Sequence, residues 1–182
     1  DCNLDNMPAM GTQMVAARFE HCSFVRANMS FSELSDIELE DCVLDRAGLA
    51  SSDMNRSRLY RCRFVQADLR ITRLRMADIV ASDFCHALLD RADLRSAILK
   101  ESSFRGAYFY DATLDEAHLA SCDLREADLS RHSAGHLCTT AGTWFFRCDL
   151  RGANLEGRRL ENTRFTSCRL YGIRGKPELA GS

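Results

Sequence analysis

Large apolar residues recur at every fifth position along almost the whole chain. The series runs Leu4, Ala9, Met14, Phe19, Phe24, Met29, Leu34, Leu39 and onward in unbroken register to Leu124 and Leu129, with Ala9 its one small member. Two residues before each, a small side chain is the rule: Ala17, Cys22, Ala27, Ser32, Cys42, Ala47 and Ser52 among them, with Met7 and Ile37 as exceptions. An α-helix would repeat its apolar face about every 3.6 residues and a half-buried strand every second residue. Neither fits. A fixed period of self-similar units predicts a repeat architecture.

A second period of twenty lies over the first. Cys2, Cys22, Cys42, Cys62 and Cys122 fall in one column, with Ser82 and Ser102 filling its gaps. The matching large column reads Leu4, Phe24, Leu44, Phe64, Phe84, Phe104 and Leu124. Four five-residue units therefore close one turn, and like residues stack on like. The physical object is a square solenoid. Each wall gives one large side chain to the axis and one small side chain where no more room exists, and coils stack at the inter-strand spacing of ~4.8 Å.

The units RADLR, EADLS, QADLR and GANLE resemble the A(D/N)LXX motif of the pentapeptide repeat family, and looser copies cover nearly the entire chain. The resemblance implies an all-β solenoid: a right-handed quadrilateral β-helix with four pentapeptides per coil and, for this length, about eight coils. It implies far less about function, since one fold carries many roles. The repeat predicts a single β-helical domain over 1–174, with 175–182 a tail, or a link to a further segment, that covers the last coil.

The register breaks once. After Leu129 it lapses through RHSAGHLCTTAGTW and resumes at Phe145, Leu150, Leu155, Leu160, Phe165 and Leu170. Removing six residues brings Cys148 and Cys168 into line with Cys122, which predicts a six-residue outward loop within 131–144. His132, His136 and Cys138 form the one cluster here with metal-ligand chemistry. They lack the paired spacing of a zinc site, so the loop is expected to be polar and metal-free. Trp144 and Phe146 flank inward Phe145 and should point outward, with the loop folded over them.

Composition narrows the field. With 46% hydrophobic residues in 182, the chain can fill a continuous core, here a thin rod. No apolar run approaches a membrane span. Seven of the nine cysteines take the inward small position, where a thiol replaces Ala or Ser. Parallel Cβ vectors suit a bridge poorly, so the cysteines are expected to be reduced and the protein cytoplasmic. Phosphate loops, nucleophile elbows and dinucleotide fingerprints are missing, so neither catalysis nor a cofactor is expected.

The outward columns carry the remaining information. Arg18, Glu38, Arg58 and Asp78 alternate in sign, as do Glu33, Asp53, Arg73 and Asp93. An arginine belt runs from Arg56 to Arg75. With a net charge of −2, it is expected to be a partly neutralised, solvated surface, with no direct nucleic-acid binding. The acidic end contains Glu38, Glu40 and Asp41. Leu88 and Tyr108 sit on adjacent rungs of one column, with Phe31, Ile71 and Tyr110 at neighbouring outward positions, which makes these five a candidate protein-contact patch. Two functions follow. The first is a rigid, non-catalytic scaffold that binds a protein partner, a homodimer being one arrangement. The second follows from the family resemblance: imitation of DNA to protect DNA gyrase or topoisomerase IV against quinolones or other poisons.

Overall fold

The structure, a computed structural model, describes residues 1–131 and 139–176. It is a right-handed quadrilateral β-solenoid of about eight coils. Four walls surround the axis, named here by the axial residues of one early circuit: Phe24, Met29, Leu34 and Leu39. The named strands are short: β1 (Cys2–Asn3), β2 (Arg18–Glu20), β3 (Cys22–Ser23), β4 (Glu38–Glu40), β5 (Arg58–Tyr60), β6 (Asp78–Val80), β7 (Ile98–Lys100), β8 (His118–Ala120), β9 (Trp144–Phe146) and β10 (Arg164–Thr166). All but β1 and β3 belong to the Leu39 wall and form one parallel sheet in the order β10-β9-β8-β7-β6-β5-β4-β2. Elsewhere single parallel bridges repeat coil by coil, as in Glu33, Asp53, Arg73, Asp93 and Thr113.

The five-residue unit explains this geometry. Its large residue and its small residue point inward, and both are buried along most of the rod. The chain then turns a corner two residues after each large one, with φ of 57° at Arg26, 59° at Phe31, 59° at Asp36 and 52° at Asp41. Three of the four corners close with a turn such as Ala27 N–H to Phe24 O at 2.9 Å. A side chain in this left-handed region costs about 1–2 kcal/mol. Burial of a whole axial residue, about 1.5–3 kcal/mol for Leu or Phe, offsets it. Rings stack where aromatic residues meet along the axis: Phe64 on Phe84 at 4.5 Å, Phe84 on Phe104 at 5.0 Å, and Phe145 on Phe165 at 4.9 Å.

Across the interruption the pairing offset changes. Tyr108 bridges Asp128, but Asp128 bridges Asn154, and His118 pairs with Trp144. Asp111 N–H still reaches Ser130 O at 3.2 Å, whereas Arg131 N–H reaches Glu156 O and Leu114 N–H reaches Thr139 O. Six residues are therefore accommodated between Arg131 and Thr139. His132, His136 and Cys138 lie outside the described residues, as does most of the 175–182 tail. The next coil carries an unexpected group. Arg158 occupies the inward small position of the Leu34 wall, in register with Ser52, Thr72, Ala92 and Ala112, and is fully buried. Its guanidinium donates to Leu129 O at 2.6 Å, Ala112 O at 2.6 Å and Phe109 O at 3.1 Å, crossing two coils toward the break.

The expectation of an all-reduced cysteine column is corrected at its first rung. Cys2 and Cys22 are joined by a disulfide, their Cα atoms 4.6 Å apart. In-register stacking places the two backbones within the reach of a bridge, about 4.4–6.8 Å, and this closeness outweighs the parallel direction of the side chains. Cys42, Cys62, Cys122 and Cys148 are buried and free, and Cys85 and Cys168 are half-buried and free.

Candidate contact surface

Because successive coils pair in register, a surface feature is a column of side chains at one position of the coil. The predicted acidic end is the first such feature. Glu38 is bound by Arg58 at 2.6 Å and approached by Arg18 at 3.9 Å. Glu40 and Asp41 are both bound by Arg61, at 2.6 and 2.8 Å. Asp36, Asp45 and Asp53 are paired likewise with Arg56, Arg63 and Arg73. The arginine belt thus lies one coil above the acids and bonds down onto them. Hydrogen bonds from Arg56 and Arg61 hold the Asp36 and Asp41 carboxyls below the usual aspartate range. Each exposed pair contributes little stability, because solvent and salt screen it. Together they cancel the field that either stripe would have alone.

The predicted patch of Phe31, Ile71, Leu88, Tyr108 and Tyr110 lies along the Met29 wall and its following corner. Phe31 and Ile71 are exposed on corners two coils apart, with Ser51 between them. Leu88 and Tyr108 are bridged neighbours, Leu88 half-buried and Tyr108 exposed. Tyr110 is exposed on the Tyr108 coil. Arg70, Asp90 and Arg91 lie between the Ile71 end and the tyrosines, so these residues do not form one apolar surface.

A more continuous surface occupies the C-terminal half of the Leu39 wall. The outer column that begins Arg18, Glu38, Arg58, Asp78 continues as Ile98, His118 and Trp144. Charge gives way to rings. His118 and Trp144 meet edge to face at 5.9 Å, and Trp144 meets Phe146 at 5.6 Å. Ile98 and Trp144 are each 38% exposed, so the rings face outward on a rigid sheet. Trp144 Nε1–H donates to Thr166 Oγ1 at 3.1 Å, fixing the indole across the next rung. Arg147 lies over the Phe146 ring at 4.9 Å, a cation–π contact. Beside the rings is a shallow groove of about 600 Å³ lined by Ser96, Ile98, Lys100, Glu116, His118 and Gly142. On the other side Arg147 opens a second groove, where Arg125 and Arg151 are fixed to Asp123 and Asp149.

Sequence reasoning expected Trp144 and Phe146 to point outward, and they do, Phe146 being half-buried. It missed Ile98, His118 and Arg147. The signal was present, because subtracting the six-residue insertion puts His118 and Trp144 in one column. Among the described residues no group of three His, Cys, Asp or Glu side chains is placed to hold a metal ion, and no helix is long and apolar enough to cross a membrane.

The family model for pentapeptide repeats matches eight copies, over residues 22–59, 77–114, 102–132 and 145–174. The chain belongs to the pentapeptide repeat family. No curated protein sequence matches it significantly. Among solved structures, a trypsin-treated QnrB1, described as a plasmid-mediated fluoroquinolone resistance protein, is similar with a TM-score of 0.55 at 17% identity, over 96% of this chain and 88% of that one. Full-length QnrB1 gives 0.51 at 17% identity, over 91% and 92%. HetL from the cyanobacterium Nostoc sp. strain PCC 7120, described as involved in heterocyst differentiation regulation, gives 0.42 at 22%, over 94% and 86%. At these identities the likeness to QnrB1 shows the fold alone.

Proposed function

We propose that this pentapeptide repeat protein is a rigid, non-catalytic binding module that engages a protein partner through the C-terminal half of its Leu39 wall. The observation that carries this reading is the run of outward rings from His118 through Trp144 to Phe146, spaced 5.9 and 5.6 Å apart on a continuous parallel sheet. Aromatic side chains on a preformed surface bury much area at small entropic cost, and arginine at their margin adds directional contacts. Arg147, Arg164, Arg169 and Arg174 make this end basic, which favours a partner with acidic residues around an apolar centre. A second copy of the rod is an alternative partner, and the Tyr108–Tyr110 region is the secondary contact face. The six cysteines that are free among the described residues favour a cytoplasmic setting, against which the Cys2–Cys22 bridge weighs.

The test compares proteins retained from lysate by immobilised wild type, by Trp144→Ala with Phe146→Ala, and by Tyr108→Ala with Tyr110→Ala. A partner retained by wild type and by the tyrosine variant, but lost about tenfold or more with the Trp144 pair, is the expected result. Unchanged retention, together with unchanged sedimentation, counts against this wall.

Protection of DNA gyrase or topoisomerase IV is the second reading, resting on the rod shape and on Glu38, Glu40 and Asp41. Pairing of those acids with Arg18, Arg58 and Arg61 weakens it. It requires the purified protein to inhibit gyrase supercoiling or to relieve quinolone-trapped cleavage. Neither effect at micromolar protein would retire it.

A further inference from the structure

The inward cysteine column places sulfur atoms in a line. Cys2 pairs in register with Cys22, and the main chain continues the stack through Val43 N–H to Cys22 O at 3.0 Å and Arg63 N–H to Cys42 O at 2.9 Å. The sulfurs share one orientation. Cys22 Sγ lies 3.3 Å from Glu20 O, Cys42 Sγ 3.3 Å from Glu40 O, and Cys62 Sγ 3.3 Å from Tyr60 O. Cys42 and Cys62 each also contact the carbonyl twenty-three residues back, Phe19 O and Leu39 O, at 3.4 Å. The shared contact puts the three sulfurs on the same side of the backbone, coil after coil. Thiol–disulfide exchange requires the incoming thiolate to approach the central sulfur opposite the departing one, and the column order Cys2, Cys22, Cys42 puts Cys2 and Cys42 on opposite sides of Cys22.

We propose that Cys2, Cys22 and Cys42 form an internal thiol–disulfide exchange site, in which the bridge steps one coil inward. The Cys42 thiolate attacks Cys22 Sγ, the Cys22–Cys42 bond forms as the Cys2–Cys22 bond breaks, and the electron pair leaves with Cys2. The released Cys2 thiolate takes up the proton that Cys42 gave up. One disulfide exists before and after, so no outside oxidant is consumed. Cys42 suits the attacking role, since it is the next cysteine in the column beyond Cys22 and its hydrogen bond with the Cys62 thiol holds it below the usual thiol range despite burial. At the next coil Ser82 takes the position, its Oγ donating to Leu59 O at 3.1 Å, so the line of sulfurs ends at Cys62. Cys42 is buried, whereas Cys2 is half-buried. Exchange therefore transfers a reactive thiol from the closed interior to a position solvent reaches, where a disulfide-bearing molecule can be captured.

The experiment uses the folded chain, iodoacetamide and peptide mapping without reduction. Cleavage after Arg18, Arg26 and Arg46 puts the three cysteines on separate peptides. Alkylated Cys2 and a linked Cys22–Cys42 peptide pair should accumulate together in wild type. In Cys42→Ser, Cys2 labelling should fall about tenfold or more, while Cys62→Ser keeps it. Serine already occupies this column at Ser82 and Ser102, and circular dichroism checks that both variants are folded. Equal labelling in wild type and Cys42→Ser would overturn the proposal. So would a Cys2–Cys22 bridge that never releases Cys2, or its absence from the starting protein.

Discussion

Arg158→Ala removes the one arginine that the repeat places at an inward small position, and its cost can be worked from three bonds. Phe109 O also accepts Ala112 N–H at 3.0 Å and keeps that partner. Leu129 O and Ala112 O lose donors held at 2.6 Å. Among the described residues neither carbonyl accepts another main-chain hydrogen bond, and a buried acceptor left without a donor costs about 1–3 kcal/mol, so the two carbonyls together cost about 2–6 kcal/mol. Substitution also releases the penalty of keeping a charge out of water, which moves the net toward the lower half, about 2–4 kcal/mol. In a chain of this size that is a fall in Tm of about 5–15 °C. Coils of a solenoid are coupled mainly to their neighbours, so the loss should appear first at the C-terminal end. Trp144 is the single tryptophan and lies fourteen residues before Arg158, less than one coil away, so its fluorescence reports that end while far-UV circular dichroism reports the whole rod. The fluorescence transition should fall first. A shift below about 2 °C by both probes would refute the reasoning, as would full recovery in Arg158→Met, which fills the space without donating.

The same bonds make Arg158 and the insertion a coupled pair. Deleting residues 132–137 joins Arg131 to Cys138 and sets a small residue in register with Ala92 and Ala112. That residue then stands in the column between Ala112 and Arg158, where it competes with the guanidinium for the space beside Ala112 O. Arg158→Ala should therefore be neutral or stabilising in the deletion variant, although it is harmful in wild type. That amounts to a coupling energy of about 2 kcal/mol or more in a double-mutant cycle. Additivity would mean that Arg158 packs independently of the break.

Other perturbations follow from the same geometry. Phe84 is sandwiched between Phe64 and Phe104, and Phe84→Ala should cost about 3–5 kcal/mol in urea unfolding, with loss of two-state behaviour; under about 1 kcal/mol would contradict an axial stack. Arginine hydrogen bonds hold the Asp36, Asp41 and Asp149 carboxyls below their unfolded range. Their contribution is present above the unfolded aspartate value of about 3.9 and lost as pH falls through the lower folded values. Asp90, raised by burial, acts in the opposite direction and is outnumbered. Tm should stay level from about pH 5 to 8 and decline below about pH 4; a rise on acidification would contradict the pairing.

The fold was legible because the five-residue unit commits two positions to the interior, and those two repeat almost without exception. Leu, Phe or Met at one and Ala, Ser or Cys at the other allow no helix and no simple strand. Arg158 shows where that legibility ends. Its unit, GRRLE, carries arginine where the pattern asks for a small residue, a departure that the repeat alone does not interpret. The side chain turns inward and donates to Leu129 O, Ala112 O and Phe109 O, main-chain acceptors that lie on the coils toward the break. The disulfide was misjudged for a related reason. Side-chain direction was weighed, but the close approach of stacked backbones decides whether a bridge forms.

The surface was harder to read because its meaning depends on neighbours one coil away. Arg61 looks like part of a basic stripe, and Glu40 and Asp41 look like an acidic one, until the coil spacing brings them to 2.6 and 2.8 Å and cancels both. His118 and Trp144 are twenty-six residues apart, an offset that falls into one column only when the insertion is subtracted. Outward positions are free to vary without disturbing the axis, so nothing in the repeat itself marks which wall is used. What distinguishes the Leu39 wall is a local change within one column, from charges that pair along the rod to rings that leave a face open. A partner that reads this wall must meet rings at the spacing of successive coils, with arginine at one margin and the Lys100–Glu116 groove at the other. That requirement comes from backbone stacking, and it would persist if every charged residue of the first three coils were exchanged.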